Sequence, residues 1–195
     1  MDLQPEVSLR RFRELGVQDI DEMLNPYRQL GVFHDLEMGL VGREEFVARL
    51  NEHAGTDLTD EQVNEAIMLF LKGVPQYKFD YLEQLRKEYK IYILSNTNPY
   101  IMAYAHSSHF LPATGRTLSD YVDKVYASCE MQTMKPDRAI YEQMIADSGM
   151  VPERTLFIDD STANIEAAAA LGLQTLLAVN ATDWRPALAA RLQCD

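Results

Sequence analysis

The sequence predicts an α/β protein, a parallel sheet with helices around it, preceded by a small all-helical segment. Three observations carry this reading. Up to about residue 75 the apolar residues recur at helical spacing, and no window alternates like a strand. After Pro75 four short runs rich in β-branched and aromatic residues appear, separated by helical patterns. Strands alternating with helices of that length form parallel sheets with right-handed crossovers. The first part then reads as an insertion, or cap, over that sheet. The 195-residue length suits one domain with such an addition.

Each element has a local reason. Val7, Leu9, Phe12 and Leu15 line one face of a first helix, and Gly16 closes it. Arg43 to Ala54 repeats the pattern through Phe46, Val47 and Leu50, and Gly55 ends it. Thr59 is an N-cap, and Gln62 three residues later completes a capping box. Val63, Ala66, Ile67, Phe70 and Leu71 form the buried stripe behind it, stopped by Gly73 and Pro75. Tyr77 to Tyr89 is a helix and Lys90 to Leu94 the first strand. A helix or loop follows from Pro99 to Ala105, then an irregular segment from His106 to Leu118. The remaining strands are Val125–Ser128, Thr155–Ile158 and Thr175–Val179. Helices Arg138–Ser148, Ala163–Leu171 (closed by Gly172) and Pro186–Leu192 lie between and after them.

Composition narrows the function. Hydrophobic residues make up 47% of the chain, too many for a disordered protein. With 18 Lys+Arg against 30 Asp+Glu the net charge is −12, which repels nucleic acid. An anionic small substrate needs a site that brings its own positive charge. Cys129 and Cys194 cannot make a disulfide framework and read as free thiols of a reducing cytoplasm. The first residues lack a signal-peptide pattern, and the longest apolar run, Ala66–Leu71, is far too short to span a membrane. The sequon Asn180-Ala181-Thr182 reads as chance. His106 and His109 have the spacing of a metal pair, but a solvated loop is the plainer reading.

In an open parallel sheet, ligands bind beyond the carboxyl ends of the strands. The first strand runs into Ser95-Asn96-Thr97-Asn98. Lys135-Pro136-Asp137 follows the second, and the third ends in Asp159-Asp160-Ser161-Thr162. Ser95 alone reads as a cap or turn residue, and Lys135 alone as a surface lysine. The acidic pair demands more. Two adjacent carboxylates at a strand end repel each other, so a divalent cation, a lysine or helix N-terminal amides must offset them. Hard oxygen ligands favour Mg²⁺. Together these groups suit phosphoryl transfer, which needs positioning and charge neutralisation above all.

Those stretches resemble three of the four signature motifs of the haloacid dehalogenase superfamily. Leu94-Ser95-Asn96-Thr97-Asn98 looks like its motif II, Lys135-Pro136-Asp137-Arg138-Ala139-Ile140-Tyr141 like motif III, and the run from Leu156 through Asp159-Asp160 to Ala168 like motif IV. Their order and spacing match across nearly the whole chain. The resemblance implies a Rossmann-like core over residues 76–195 with a C1-type helical cap over residues 1–75. Its closest subgroup is the phosphatases of small phosphorylated metabolites, including sugar phosphates and the phosphatase domain of soluble epoxide hydrolase. It implies that Ser95 binds the phosphoryl group with Asn96 beside it. Lys135 steadies a phospho-aspartyl intermediate. Asp160 ligates Mg²⁺, Asp159 supports Lys135 or a metal-bound water, and Asn164 either supports the residues around the metal or faces the substrate.

The chain departs from the pattern in motif I, a strand ending in Asp-x-Asp or Asp-x-Gly whose first Asp is the nucleophile. No apolar strand precedes the first helix, and Asp2 is no substitute. In the family that strand lies between those carrying motifs II and IV, so its loss leaves two neighbours unpaired. The expectation is a Mg²⁺-dependent phosphomonoesterase that is inactive as these 195 residues stand. Either the natural start lies upstream, or the chain is a catalytically dead ligand-binding or regulatory relative. A phosphomutase or dehalogenase chemistry is the third option. The cap residues facing a substrate are guessed as Tyr27, Phe33, Asp35 and Glu37 around the turn Gly31–Gly39, each with an equally good core or surface reading.

Overall fold

The computed structural model describes residues 2–25, 28–178 and 182–192. Tyr27, Val179, Cys194 and the sequon residues Asn180 and Ala181 lie outside the described residues. The chain divides into two compact units, Met1–Gln132 and Thr133–Asp195. The change of sequence pattern at Pro75 falls inside the first.

The first unit opens with strand β1 (Asp2–Leu3) and helix α1 (Pro5–Glu14), which has proline in its first turn where no amide hydrogen is needed. Helix α2 (Ile20–Met23), strands β2 (Leu24–Asn25) and β3 (Arg28–Gln29), and helix α3 (Gly31–Glu37) follow. Next come α4 (Arg43–Ala54) and α5 (Asp60–Met68). Gly55 ends α4 at φ 66°, the left-handed cap that favours glycine. The capping box of α5 is complete: Gln62 N–H donates to the Thr59 hydroxyl at 3.3 Å, and Thr59 N–H donates to Gln62 Oε1 at 2.9 Å.

The structure corrects the expectation of helices alone before residue 75. Strand β4 (Leu71–Gly73) pairs antiparallel with β1, and β2 pairs antiparallel with β3. Leu71, expected at the end of the α5 stripe, is a strand residue instead, because the helix stops at Met68. Asp2 sits opposite Gly73 in this short ladder.

The rest of the first unit holds α6 (Gln76–Leu85), β5 (Tyr92–Ser95), α7 (Pro99–Ala105), β6 (Lys124–Ala127) and α8 (Ser128–Met131). Strands β5 and β6 are parallel, with Ser95 level with Ala127. Among the described residues β5 has no second strand neighbour. The unit contains two apolar cores. One gathers Phe12, Phe33, Phe46, Leu50 and Ile67 with Tyr100. Its aromatic rings meet edge to face, Phe12 on Phe33 at 5.6 Å and Phe33 on Phe46 at 4.9 Å. The other packs Phe79, Phe110, Tyr121 and Val122 against the strand residues Ile93 and Val125.

The second unit contains α9 (Arg138–Ser148), β7 (Leu156–Asp159), α10 (Thr162–Ala169), β8 (Gln174–Leu177) and α11 (Arg185–Leu192). Asp137 caps α9 by accepting from Ala139 N–H at 2.9 Å. Strands β7 and β8 run parallel in register Leu156 with Gln174 through Asp159 with Leu177, and α10 makes the crossover between them. Here too β7 has no second strand neighbour among the described residues. Its buried apolar residues are Ile140, Tyr141, Met144, Phe157, Ala168, Leu173 and Leu188. Among the described residues no helix is long and apolar enough to cross a membrane.

Candidate functional site

A buried polar constellation stands at the carboxyl end of β7. Asp159 is the last residue of the strand, and its side chain is 7% exposed. A carboxylate that deep needs donors, and it has three. Lys135 Nζ donates to Oδ2 at 2.7 Å. Ser161 N–H and Asn164 Nδ2 each donate to Oδ1 at 2.9 Å. The Lys135 side chain is itself only 10% exposed, and its ammonium lies 5.7 Å from the centre of the Phe157 ring. Of the three ways to offset the acidic pair, the fold uses lysine and backbone amide together for Asp159. Asp160, by contrast, is exposed.

Local sequence explains the geometry. Ser161 is the N-cap of α10 and accepts from Asn164 N–H at 3.5 Å, which sets Asn164 one turn into the helix and facing Asp159. Tyr141 on α9 packs edge to face on Phe157 at 5.5 Å and donates its hydroxyl to the Asn164 carbonyl at 3.1 Å. Burial pushes the Tyr141 phenol above its ordinary pKa, and the Asp159 charge adds to that. The Lys135–Pro136 peptide is cis. Lys135, Asp159 and Asn164 are therefore joined directly. Ser161 and Tyr141 were absent from the sequence-derived site. The Ser161 to Asn164 spacing is an N-cap signal that pointed to the first, whereas Tyr141 shows no pattern beyond a core aromatic.

Ser95 and Asn96 belong to the first unit, at the end of β5. Their loop is pinned on both sides. Thr97 N–H donates to the Ser128 hydroxyl at 2.9 Å, and that hydroxyl donates back to the Thr97 carbonyl at 3.1 Å. Asn98 then caps α7, its Oδ1 accepting from Tyr100 N–H at 3.1 Å and Ile101 N–H at 3.2 Å. Ser128 is fully buried. It is a further residue the sequence reading missed, because serine after a strand looks like any turn residue.

The guessed cap residues resolve differently. Phe33 is 3% exposed within the aromatic core, so its role is packing. Asp35 pairs with Arg49 at 3.2 Å, and Glu37 is 9% exposed. His106 Nδ1 shares a hydrogen bond with the Ser119 hydroxyl at 2.9 Å, and His109 is exposed.

Mg²⁺ is held by one or two carboxylates, completed by waters and substrate phosphate. Asp160 is an exposed carboxylate, the ligand type such a site uses. Both oxygens of Asp159 already accept hydrogen bonds. Among the described residues no three His, Cys, Asp or Glu group as a closed metal site. The donor set fits an open Mg²⁺ shared with phosphate and water, not a closed all-protein cage.

The comparisons agree on kinship. Residues 7–172 match the haloacid dehalogenase-like hydrolase family. The chain is 39% identical to the D-ribitol-5-phosphate phosphatase of Bacteroides thetaiotaomicron over 188 residues, 96% of this chain and 91% of that protein. A HAD-like family hydrolase from Porphyromonas gingivalis superposes with a TM-score of 0.93 at 48% identity, covering 99% of this chain and 92% of that one. A HAD family enzyme of Bacteroides thetaiotaomicron, an aspartate-to-alanine variant in complex with magnesium and inorganic phosphate, gives a TM-score of 0.90 at 33% identity over 96% of this chain and 92% of its own. The fold is thus the Rossmann-type α/β fold of these hydrolases. With the family match spanning most of its length and motifs II to IV in order, the chain belongs to the haloacid dehalogenase-like hydrolases.

Proposed function

We propose that the chain carries the phosphate-handling residues of a Mg²⁺-dependent phosphomonoesterase acting on a small phosphorylated polyol or sugar. The buried Lys135–Asp159 pair beside the exposed carboxylate of Asp160 carries this reading. The relative named D-ribitol-5-phosphate phosphatase supports the substrate class. Structures of a relative with magnesium and inorganic phosphate support the cofactor.

In this reading Asp160 holds Mg²⁺, which when bound neutralises phosphate charge. Lys135 is fixed in place by Asp159 and stabilises the phosphoryl oxygens. Asn164 orients Asp159 from the far side. Ser95 and Asn96 are the phosphate-binding residues that the motif II resemblance implies. Residues 1–75 serve as the cap and 76–195 as the core, working in the cytoplasm. Residues 1–195 contain no strand ending in the nucleophilic aspartate ahead of the cap. We therefore expect this polypeptide to bind phosphate without turning over.

The test measures phosphate release from D-ribitol 5-phosphate and from p-nitrophenyl phosphate. It uses the 195-residue polypeptide and the same polypeptide preceded by the N-terminal segment of the ribitol-phosphate relative. Mg²⁺-dependent release by the second alone supports the proposal. Release that survives chelation, or that survives Lys135→Ala, contradicts it. Saturable binding with no release from either polypeptide would mark a ligand-binding protein instead.

A further inference from the structure

Tyr100 lies one residue past the Ser95–Asn98 loop and its following proline, yet its side chain belongs to the core built by the preceding helices. It is 1% exposed. Its ring meets Phe46 of α4 edge to face at 6.2 Å. The Arg43 guanidinium, in the first turn of α4, lies 4.1 Å above the centre of that ring. The hydroxyl donates to Asp60 Oδ1 at 2.7 Å, in the first turn of α5. Arg43 closes the triangle, with Nε donating to Asp60 Oδ1 at 3.1 Å and a second bond from Nη2 to Oδ2. Helices α4 and α5 thus meet the start of α7 at one phenol.

A buried tyrosine is ordinarily explained by packing. Here the polar end matters as well. The first residues of α7 are fixed by Asn98, and Thr97 by Ser128. Those contacts lock the loop's internal shape. They do not set where the loop stands relative to α4 and α5. The Tyr100 hydroxyl ties α7 to both helices, because its acceptor Asp60 on α5 is itself bonded by Arg43 of α4. Asp60 also sits at a helix start, where a carboxylate is favoured.

We propose that Tyr100 is a positioning residue for the Ser95–Asn98 loop, fastened by Asp60 and Arg43 to the starts of α5 and α4. This rests on the phosphate-binding reading of Ser95 and Asn96 given above. Tyr100 touches no phosphate. It acts through α7, so that Ser95 and Asn96 present their donors in one arrangement.

The experiment uses the 195-residue chain and Tyr100→Phe, which keeps the ring and removes the hydroxyl. Hydrogen exchange is followed at the amides of Thr97, Tyr100 and Ile101, with amides in the middle of α4 and α5 as internal controls. Binding of inorganic phosphate in the presence of Mg²⁺ is measured by titration calorimetry. A lost hydrogen bond to a charged acceptor leads us to expect about tenfold faster exchange at these three amides, in the loop and the first turn of α7, and about tenfold weaker phosphate binding. The helix controls should stay within about twofold, the size of the effect if the bond contributed almost nothing. Asp60→Asn keeps an acceptor and is expected to fall between wild type and Tyr100→Phe. Uniform acceleration across α4, α5 and α7 would overturn the proposal, since that is packing loss alone. So would unchanged loop exchange. Wild-type chain that binds no phosphate would refute the functional reading instead, and the exchange pattern alone would then decide the positioning claim.

Discussion

Lys135→Met should expose how much the fold leans on one ion pair. The substitution keeps an apolar stem of similar length and removes the ammonium 2.7 Å from Asp159. Asp159 is then a carboxylate with a 7% exposed side chain and two neutral donors, Ser161 N–H and Asn164 Nδ2. Breaking a buried pair by removing one partner costs about 3–5 kcal/mol. The two remaining hydrogen bonds and the 10% exposure at Lys135 favour the lower end, about 3 kcal/mol. At about 2–4 °C per kcal/mol for a chain of this size, Tm should fall by about 6–12 °C. Lys135→Met/Asp159→Asn removes the uncompensated charge and keeps an oxygen for Ser161 and Asn164. It should recover most of the loss and leave a deficit of about 1 kcal/mol. Differential scanning fluorimetry of wild type and the single and double variants gives the cycle. If Lys135→Met melts within a degree of wild type, or the double variant is less stable than the single, the pair does not hold the site together.

Three further outcomes follow from local geometry. Thr97 Oγ1 is buried with no hydrogen-bond partner among the described residues; an orphaned hydroxyl costs about 1 kcal/mol or more, so Thr97→Val should hold or raise Tm by about 2–4 °C in a melt. Gly39 has φ +65°, and a Cβ there would stand 1.9 Å from the Cys129 carbonyl oxygen. Gly39→Ala should therefore cost about 2–4 kcal/mol, read from urea midpoints. Burial works against ionising Asp60, but hydrogen bonds from Arg43 and Tyr100 outweigh it and hold its pKa below the usual carboxylate value. Its contribution is complete above the unfolded value of about 3.9 and lost as pH falls through the lower folded one. Arg43→Met should accordingly flatten the fall in Tm between about pH 4 and pH 2.

Where a local signal exists, sequence and structure agree closely. Helix α4 runs from Arg43 to Ala54 and stops at Gly55, because a left-handed glycine cap is a local event. Helix α9 runs from Arg138 to Ser148 between Asp137 and Gly149 for the same kind of reason. Strand β5 covers Tyr92–Ser95 rather than Lys90–Leu94, since strand ends are set by which residue the neighbour can pair. The pairs β1–β4 and β2–β3 were illegible. Strands of two or three residues carry no period, and the pairing of β1 with β4 joins residues as far apart as Asp2 and Gly73.

The site shows the same division. Lys135 and Asp159 were legible as chemistry and Asn164 through the motif resemblance, but which partner would offset which carboxylate was not. That depends on a contact between residues 24 apart in sequence. Tyr141, Ser128 and Tyr100 escaped because their residue types are ordinary core or turn choices. Their roles come from hydroxyls whose partners, Asn164, Thr97 and Asp60, the fold brings to them. Phe33, for which a core role read as well as a substrate contact, lies in the aromatic core between Phe12 and Phe46.

The central claim is that these residues handle phosphate with Mg²⁺. Titration calorimetry of inorganic phosphate into the 195-residue chain tests it without needing turnover. Saturable binding is expected with Mg²⁺, lost on chelation, and lost in Ser95→Ala and in Asp160→Ala. No saturation with Mg²⁺ present, or equal binding in all four conditions, would contradict it.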